Sequence, residues 1–236
     1  MPPVGSAASP HHGRGGNNGG RSLSPQDWSA FLRRIERKRS DDLPPLPDEY
    51  YVRATWVSFR MEGLDVGAQE VREALAPPAA GERPALRSRQ AQRLRNHAAI
   101  LHRVENDLHA NLPLVADGVV RWYVGVSAGL SMTGLDQPRL ARVEEVVRRV
   151  NSPQLRLPAA LQEIAQTHVR LLTDPLVPGF NGILSRLLMR YHLGRCGLPP
   201  VVFDPAIDGP ARGAEAMARR LVELLEQSYD ELLRGG

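Results

Sequence analysis

The chain has 236 residues, enough for one domain of ordinary size with a full core and a tail; two compact domains would be cramped. Hydrophobic residues make up 42% and charged residues 24%, a globular composition, and the single cysteine, Cys196, excludes an intramolecular disulfide or a cysteine zinc cluster. The formal charge of +4 rests on arginines scattered among glutamates (Arg142, Glu144, Glu145, Arg148, Arg149), a pattern of solvated faces without interleaved aromatics, so nucleic-acid binding is not expected.

Lys38 is the only lysine, which reads as codon bias before it reads as phosphate recognition. No apolar stretch reaches membrane-span length and no hydrophobic leader is visible, so the expected location is cytoplasmic with no membrane contact. Residues 1–22 are Gly, Pro, Ser, Asn and His with no apolar period, and read as a disordered tail. His11 and His12 within it are capable of binding a metal, but a flexible tail is the simpler reading. The remainder, 23–236, reads as a single helical domain.

Ser24 and Pro25 open a first helix through Trp28, Phe31 and Ile35. Pro47, Asp48 and Glu49 open a second, with acidic residues in its first turn, which carries Tyr51, Trp56 and Phe59 and stops at Gly63. A short helix around 67–76 precedes a Pro/Ala/Gly loop. A long helix follows from about Leu86 to His109, with Leu94, Ala98, Leu101, Val104, Glu105 and Leu108 along or beside one stripe. Residues 119–133 combine β-branched and aromatic residues with a small-residue turn, which predicts a short β-hairpin. Further helices begin near Asp136 and Leu157, after Gly179, and near Pro210. Their inward stripes are Leu140, Val143, Val147 and Val150; then Leu161, Ile164, Ala165, His168 and Leu172; then Leu184, Leu187, Leu188 and Tyr191; then Met217, Leu221, Leu224, Leu225, Ser228 and Leu232. The fold class expected is all-α, compact, with seven or eight helices and one hairpin.

The segment from Leu172 to Pro200 is the informative one. Its centre is a glycine-rich turn, Gly179-Phe180-Asn181-Gly182, feeding directly into an amphipathic helix. Such a turn aims several backbone N–H groups at one point beside the positive end of a helix dipole, and Arg186 lies one turn further in. On these residues alone a plain helix–helix connection, with glycines for the bend, is the simpler reading.

The same segment resembles the signature of the Fic family, His-Pro-Phe-x-Asp/Glu-Gly-Asn-Gly-Arg-x-x-Arg, followed by an apolar helix and a Gly-x-Pro-Pro stretch. With one insertion, placed at Phe180, the residues Pro175, Gly179, Asn181, Gly182 and Arg186 match, and Leu176 stands in for the phenylalanine. Asp174 stands at the catalytic histidine, Pro178 at the metal-binding carboxylate, and Ile183 at the first arginine. Residues 58–63, Ser-Phe-Arg-Met-Glu-Gly, resemble the inhibitory-helix motif of class II Fic proteins, Ser/Thr-x-x-x-Glu-Gly/Asn. The hairpin expected at 119–133 falls where the family has its flap. Order and spacing agree from about residue 47 to 235, with the inhibitory helix at about 47–63 and the core motif at 174–186.

The resemblance implies an all-helical fold and transfer of AMP, or another phosphate-linked group, from a nucleotide to a protein hydroxyl. It implies nucleotide binding at Gly179, Asn181, Gly182 and Arg186, and regulation by Ser58, Glu62 and Gly63, with Glu62 paired to Arg186. ATP with Mg²⁺ is the implied cofactor, weakly bound. The implied partner is a protein held along the 119–133 flap, with a homodimer left open. No residue is assigned to a metal. Asp174 is a poor base in this role, since an exposed aspartate has a pKa of about 3.9 and repels phosphates. Loss of a general base costs roughly 10²–10⁴-fold in rate. The missing carboxylate and the missing first arginine remove further charge stabilisation. The first expectation is therefore a pseudoenzyme that binds a protein or a nucleotide. A divergent transferase using Asp174 and a plain helical interaction module are the alternatives. His168 is expected to be a hydrogen-bonded core histidine.

Overall fold

A computed structural model describes residues 25–38, 45–76, 89–127, 135–152, 156–177, 179–205 and 213–234. Among them it is all helical, with nine helices and no strand: α1 (Pro25–Lys38), α2 (Asp48–Met61), α3 (Ala68–Leu75), α4 (Arg89–His109), α5 (Ala116–Ser127), α6 (Gln137–Val150), α7 (Leu157–Thr173), α8 (Asn181–Arg195) and α9 (Ala214–Arg234). The expected tail at 1–22 and Pro178 lie outside the described residues.

The start and stop signals read from the sequence set most boundaries. Asp136 caps α6, its carboxylate accepting from Arg139 N at 3.0 Å with a proline in the next turn. Acidic Asp48 and Glu49 sit in the first turn of α2, which ends at the Glu62–Gly63 turn. The indole of Trp56 donates to Val66 O at 2.9 Å and folds the following segment back against α2.

One expectation is corrected. Residues 119–127, the first part of the expected hairpin, belong to helix α5, and 128–133 lie outside the described residues. Val119, Trp122, Tyr123 and Val126 recur at helical spacing and are all buried. Four buried side chains on one helical face outweigh the β preference of valine and aromatic residues, which mostly reflects packing on a half-buried surface. The extended edge proposed to hold a partner is therefore absent over 119–127. This helix also raises the count above the seven or eight expected.

Two apolar clusters make the interior. One joins side chains of α2, α4, α5, α6 and α8; the other joins α7, α8 and α9, with Phe31 and Ile35 of α1 laid against it. Helix α8 belongs to both. Ile183, Leu184, Leu187, Leu188 and Tyr191 enter the first cluster, while Met189 and Leu193 enter the second. A helix buried on nearly every side is a core helix, and each fully buried Leu or Ile contributes roughly 1.5–3 kcal/mol. The consequence for the site is mechanical: the start of α8, fed by the glycine-rich turn, is anchored by the most deeply packed element of the fold.

Candidate functional site

Helix α2 runs against α8, and the residues they share follow from helical spacing. Tyr50, Ala54, Ser58 and Glu62 recur every four positions on α2, as do Gly182, Arg186 and Arg190 on α8. At the end nearest the start of α8, Arg186 is held three ways. Its Nε donates to Ser58 Oγ at 3.1 Å, and its Nη2 donates to Ser58 O at 2.8 Å and to Glu62 Oε1 at 2.8 Å. The Arg186 side chain is 9% exposed and that of Glu62 25%. Burial pulls the guanidinium below the ordinary arginine value, and Glu62 opposes that shift. The pair expected from the two distant motifs is thus formed.

Glu62 does more than pair. A Cβ on Gly182 would overlap Glu62 Oε1 and lie 3.1 Å from Arg186 Nη1. The carboxylate therefore rests on the bare backbone of the second residue of α8, at the positive end of the helix dipole. The chain's own carboxylate thus covers the backbone at the start of α8. Gly182→Ala is expected to expel Glu62 and destabilise the fold by roughly 1.5–3 kcal/mol, the range for a lost hydrogen bond to a charged group. In urea denaturation the double variant with Glu62→Gly should be no less stable than Glu62→Gly alone. Simple additivity would show that the two positions do not meet.

The turn itself is closed by its own side chains. Asn181 Oδ1 accepts from Leu176 N at 2.8 Å and Val177 N at 2.9 Å, and Asn181 Nδ2 donates to Val177 O and to Gly179 O. The Asn181 amide thus organises the loop from within. Gly179 and Phe180 both take the left-handed conformation, at φ 71° and 57°. That is strained for phenylalanine, the residue inserted relative to the family signature. The Arg93 guanidinium of α4 lies 5.0 Å over the Phe180 ring, which packs on the first apolar cluster and holds this turn in place.

Asp174 closes α7 and faces Arg142 of α6. Arg142 Nη2 meets the Asp174 carboxylate at 2.8 Å, and the same guanidinium donates to Asp174 O at 2.8 Å and Pro175 O at 3.2 Å. The Asp174 side chain is 59% exposed. Ile183, at the position of the first signature arginine, is fully buried in the first cluster. Among the described residues no group of three or more His, Cys, Asp or Glu side chains is placed to hold a metal ion.

Sequence reading missed three features. Arg142 reads as one of the solvated charges of α6, and nothing in its spacing marks it as the partner of Asp174. Arg93 gives no signal until the left-handed backbone of Phe180 is seen to bring its ring under that guanidinium. His97 lies on the α4 stripe, buried, with Nδ1 bonded to Thr55 Oγ1 at 3.0 Å. His168 is the core histidine expected, bonded to Ser185 Oγ and stacked on Phe203 at 5.7 Å.

No protein-family model and no curated protein sequence matches this chain. Among solved structures, a segment of Fic-1 from C. elegans, carrying one glutamate-to-glycine substitution, superposes with a TM-score of 0.63 over 88% of this chain and 72% of that one, at 14% identity. The chain therefore has an all-helical, Fic-like fold.

Proposed function

We propose that this chain is a degenerate Fic-type protein whose residues 23–236 act as one domain, binding a protein or a nucleotide without efficient nucleotidyl transfer. Its anion cradle at the start of α8 is closed by its own Glu62. The observation that carries the reading is the state of Asp174. The carboxylate at the position of the general base is already engaged in an ion pair with Arg142 at 2.8 Å, so it is not free to take a proton from a hydroxyl. The buried Ile183 offers no phosphate contact, so of the signature's two arginines Arg186 alone is represented.

The cradle fits a phosphoryl group in one respect: a carboxylate already occupies it, between Arg186 and the uncovered backbone of Gly182. ATP with Mg²⁺ is the proposed ligand, bound weakly and in competition with Glu62. Ser58 keeps hold of Arg186 when Glu62 is removed, so the guanidinium stays aimed.

The test compares wild type, Glu62→Gly, and a graft that deletes Phe180 and adds Asp174→His, Pro178→Asp and Ile183→Arg. ATP with Mg²⁺ should raise the Tm of Glu62→Gly and leave that of wild type unchanged, because ligand binding stabilises only where the seat is open. Radiolabelled nucleotide transfer onto lysate proteins should be at background for wild type and for Glu62→Gly. Label should appear only when the graft is combined with Glu62→Gly. Labelling by Glu62→Gly alone, abolished by Asp174→Ala, would establish a divergent transferase instead. No ATP response in any variant would leave a helical interaction module.

A further inference from the structure

Behind the Ser58–Arg186 contact lies a second space, which Glu62 does not line. It is a cavity of about 30 Å³ between α2, α4, α8 and the segment 201–203, with Tyr50, Ala54, Ser58, His97, Arg186 and Arg190 among its walls. That is roughly twice what one water needs, and comparable with one small oxyanion. Neither Glu62 nor Gly182 lines it.

Much of the wall is apolar, with Val57, Leu101, Leu187 and Phe203 among it, and the polar groups set into it are mainly donors. Ser58 Oγ accepts from Arg186 Nε, which leaves its hydroxyl hydrogen free to donate. Arg190 uses Nε and Nη2 on the Glu105 carboxylate, and the Tyr50 hydroxyl faces the same guanidinium. Burial keeps that phenol protonated, hence a donor. His97 is fully buried, its Nδ1 engaged by Thr55, and its Nε2 bonds to none of the described residues. A buried imidazole nitrogen without a partner is destabilising, and a ligand that bonds it relieves that cost. Ala54 is what makes the space, because it places a methyl where every other residue of its α2 stripe carries a larger, polar side chain.

We propose that this cavity is a binding site for a small oxyanion of the size of inorganic phosphate or bicarbonate, held by His97 Nε2 and the Ser58 and Tyr50 hydroxyls, with Arg186 and Arg190 supplying positive charge in its walls. It is distinct from the cradle at Gly182 and does not depend on nucleotide transfer. The two sites share Arg186, so an oxyanion here competes with Glu62 for that guanidinium and loosens the closed state.

The test uses the full chain with inorganic phosphate as probe and chloride at equal ionic strength as control. In ¹⁵N spectra of the imidazoles, the His97 Nε2 signal should move with phosphate and not with chloride, and the Tm should rise by several degrees. Ala54→Leu, which extends a side chain into the cavity, should abolish both responses, whereas Glu62→Gly should retain them. If Ala54→Leu does not fold, the wild-type His97 signal still decides. An unmoved His97 signal would overturn the proposal and leave the cavity to water. So would a phosphate effect that survives Ala54→Leu and disappears in Gly182→Ala, since that result places the anion at the start of α8.

Discussion

Lowering the pH from 7 to 5 should cost the fold about 6 kcal/mol, because three buried histidines refuse protons that the unfolded chain accepts. Burial holds His97 and His168 down to about 3, with the Arg186 charge adding to both and a bond from Ser185 opposing the shift at His168. Burial alone holds His192 at about 4. In the unfolded chain each titrates near 6.5. Between those values the unfolded state binds more protons than the folded one, so stability falls as pH drops through 6.5 and levels only beneath the folded values. At pH 5 each site contributes about 2 kcal/mol of loss, whether its folded value is 3 or 4. Set against a typical total of about 5–15 kcal/mol, the sum brings the protein close to acid unfolding. Urea denaturation at the two pH values measures it, and a variant such as His97→Gln should lose about a third of the slope. Equal midpoints at pH 7 and 5 would refute the burial argument.

Glu105→Ala should destabilise by about 3–5 kcal/mol, the range for stranding one member of a buried ion pair. The Glu105 and Arg190 side chains are 5% and 6% exposed and meet through two bonds, Arg190 Nε to Glu105 Oε1 at 2.6 Å and Nη2 to Oε2. They join α4 to α8 beneath the candidate site. Replacing both by apolar residues of similar volume, Glu105→Leu with Arg190→Met, should recover most of the loss. A double variant as weak as the single would mean that the pair stabilises through its charges and not merely by mutual satisfaction.

The Glu62–Arg186 pairing was legible only through the resemblance of residues 58–63 and 174–186 to two family motifs; the residues alone favoured a plain helix connection. The structure brings Ser58, Glu62 and Arg186 within hydrogen-bond distance. The state of Asp174 was not legible, since Arg142 reaches it from another helix across a loop. Nor was the inward use of Asn181, whose amide reads equally well as a phosphate contact or as a turn closer until the backbone of Leu176 and Val177 is seen to supply its donors.

Helix positions followed from signals within a few residues of each boundary: the Asp136 start, the Pro47-Asp48-Glu49 start, the Gly63 stop. Such signals act through hydrogen bonds and dihedral limits of the chain immediately around them, and need no partner. The failure at α5 came from weighing β-branched composition above the 119-122-123-126 spacing, where packing on α4 and α6 chooses the helix. Burial is different in kind. That α8 is enclosed on all sides, that His192 is interior, that Arg186 and Arg190 are the arginines taken from water: each depends on which helices pack against which, a property of contacts between residues far apart in the chain. Charge, hydrogen-bond partners and proton affinity all change with that enclosure, so the chemistry of the site is set there.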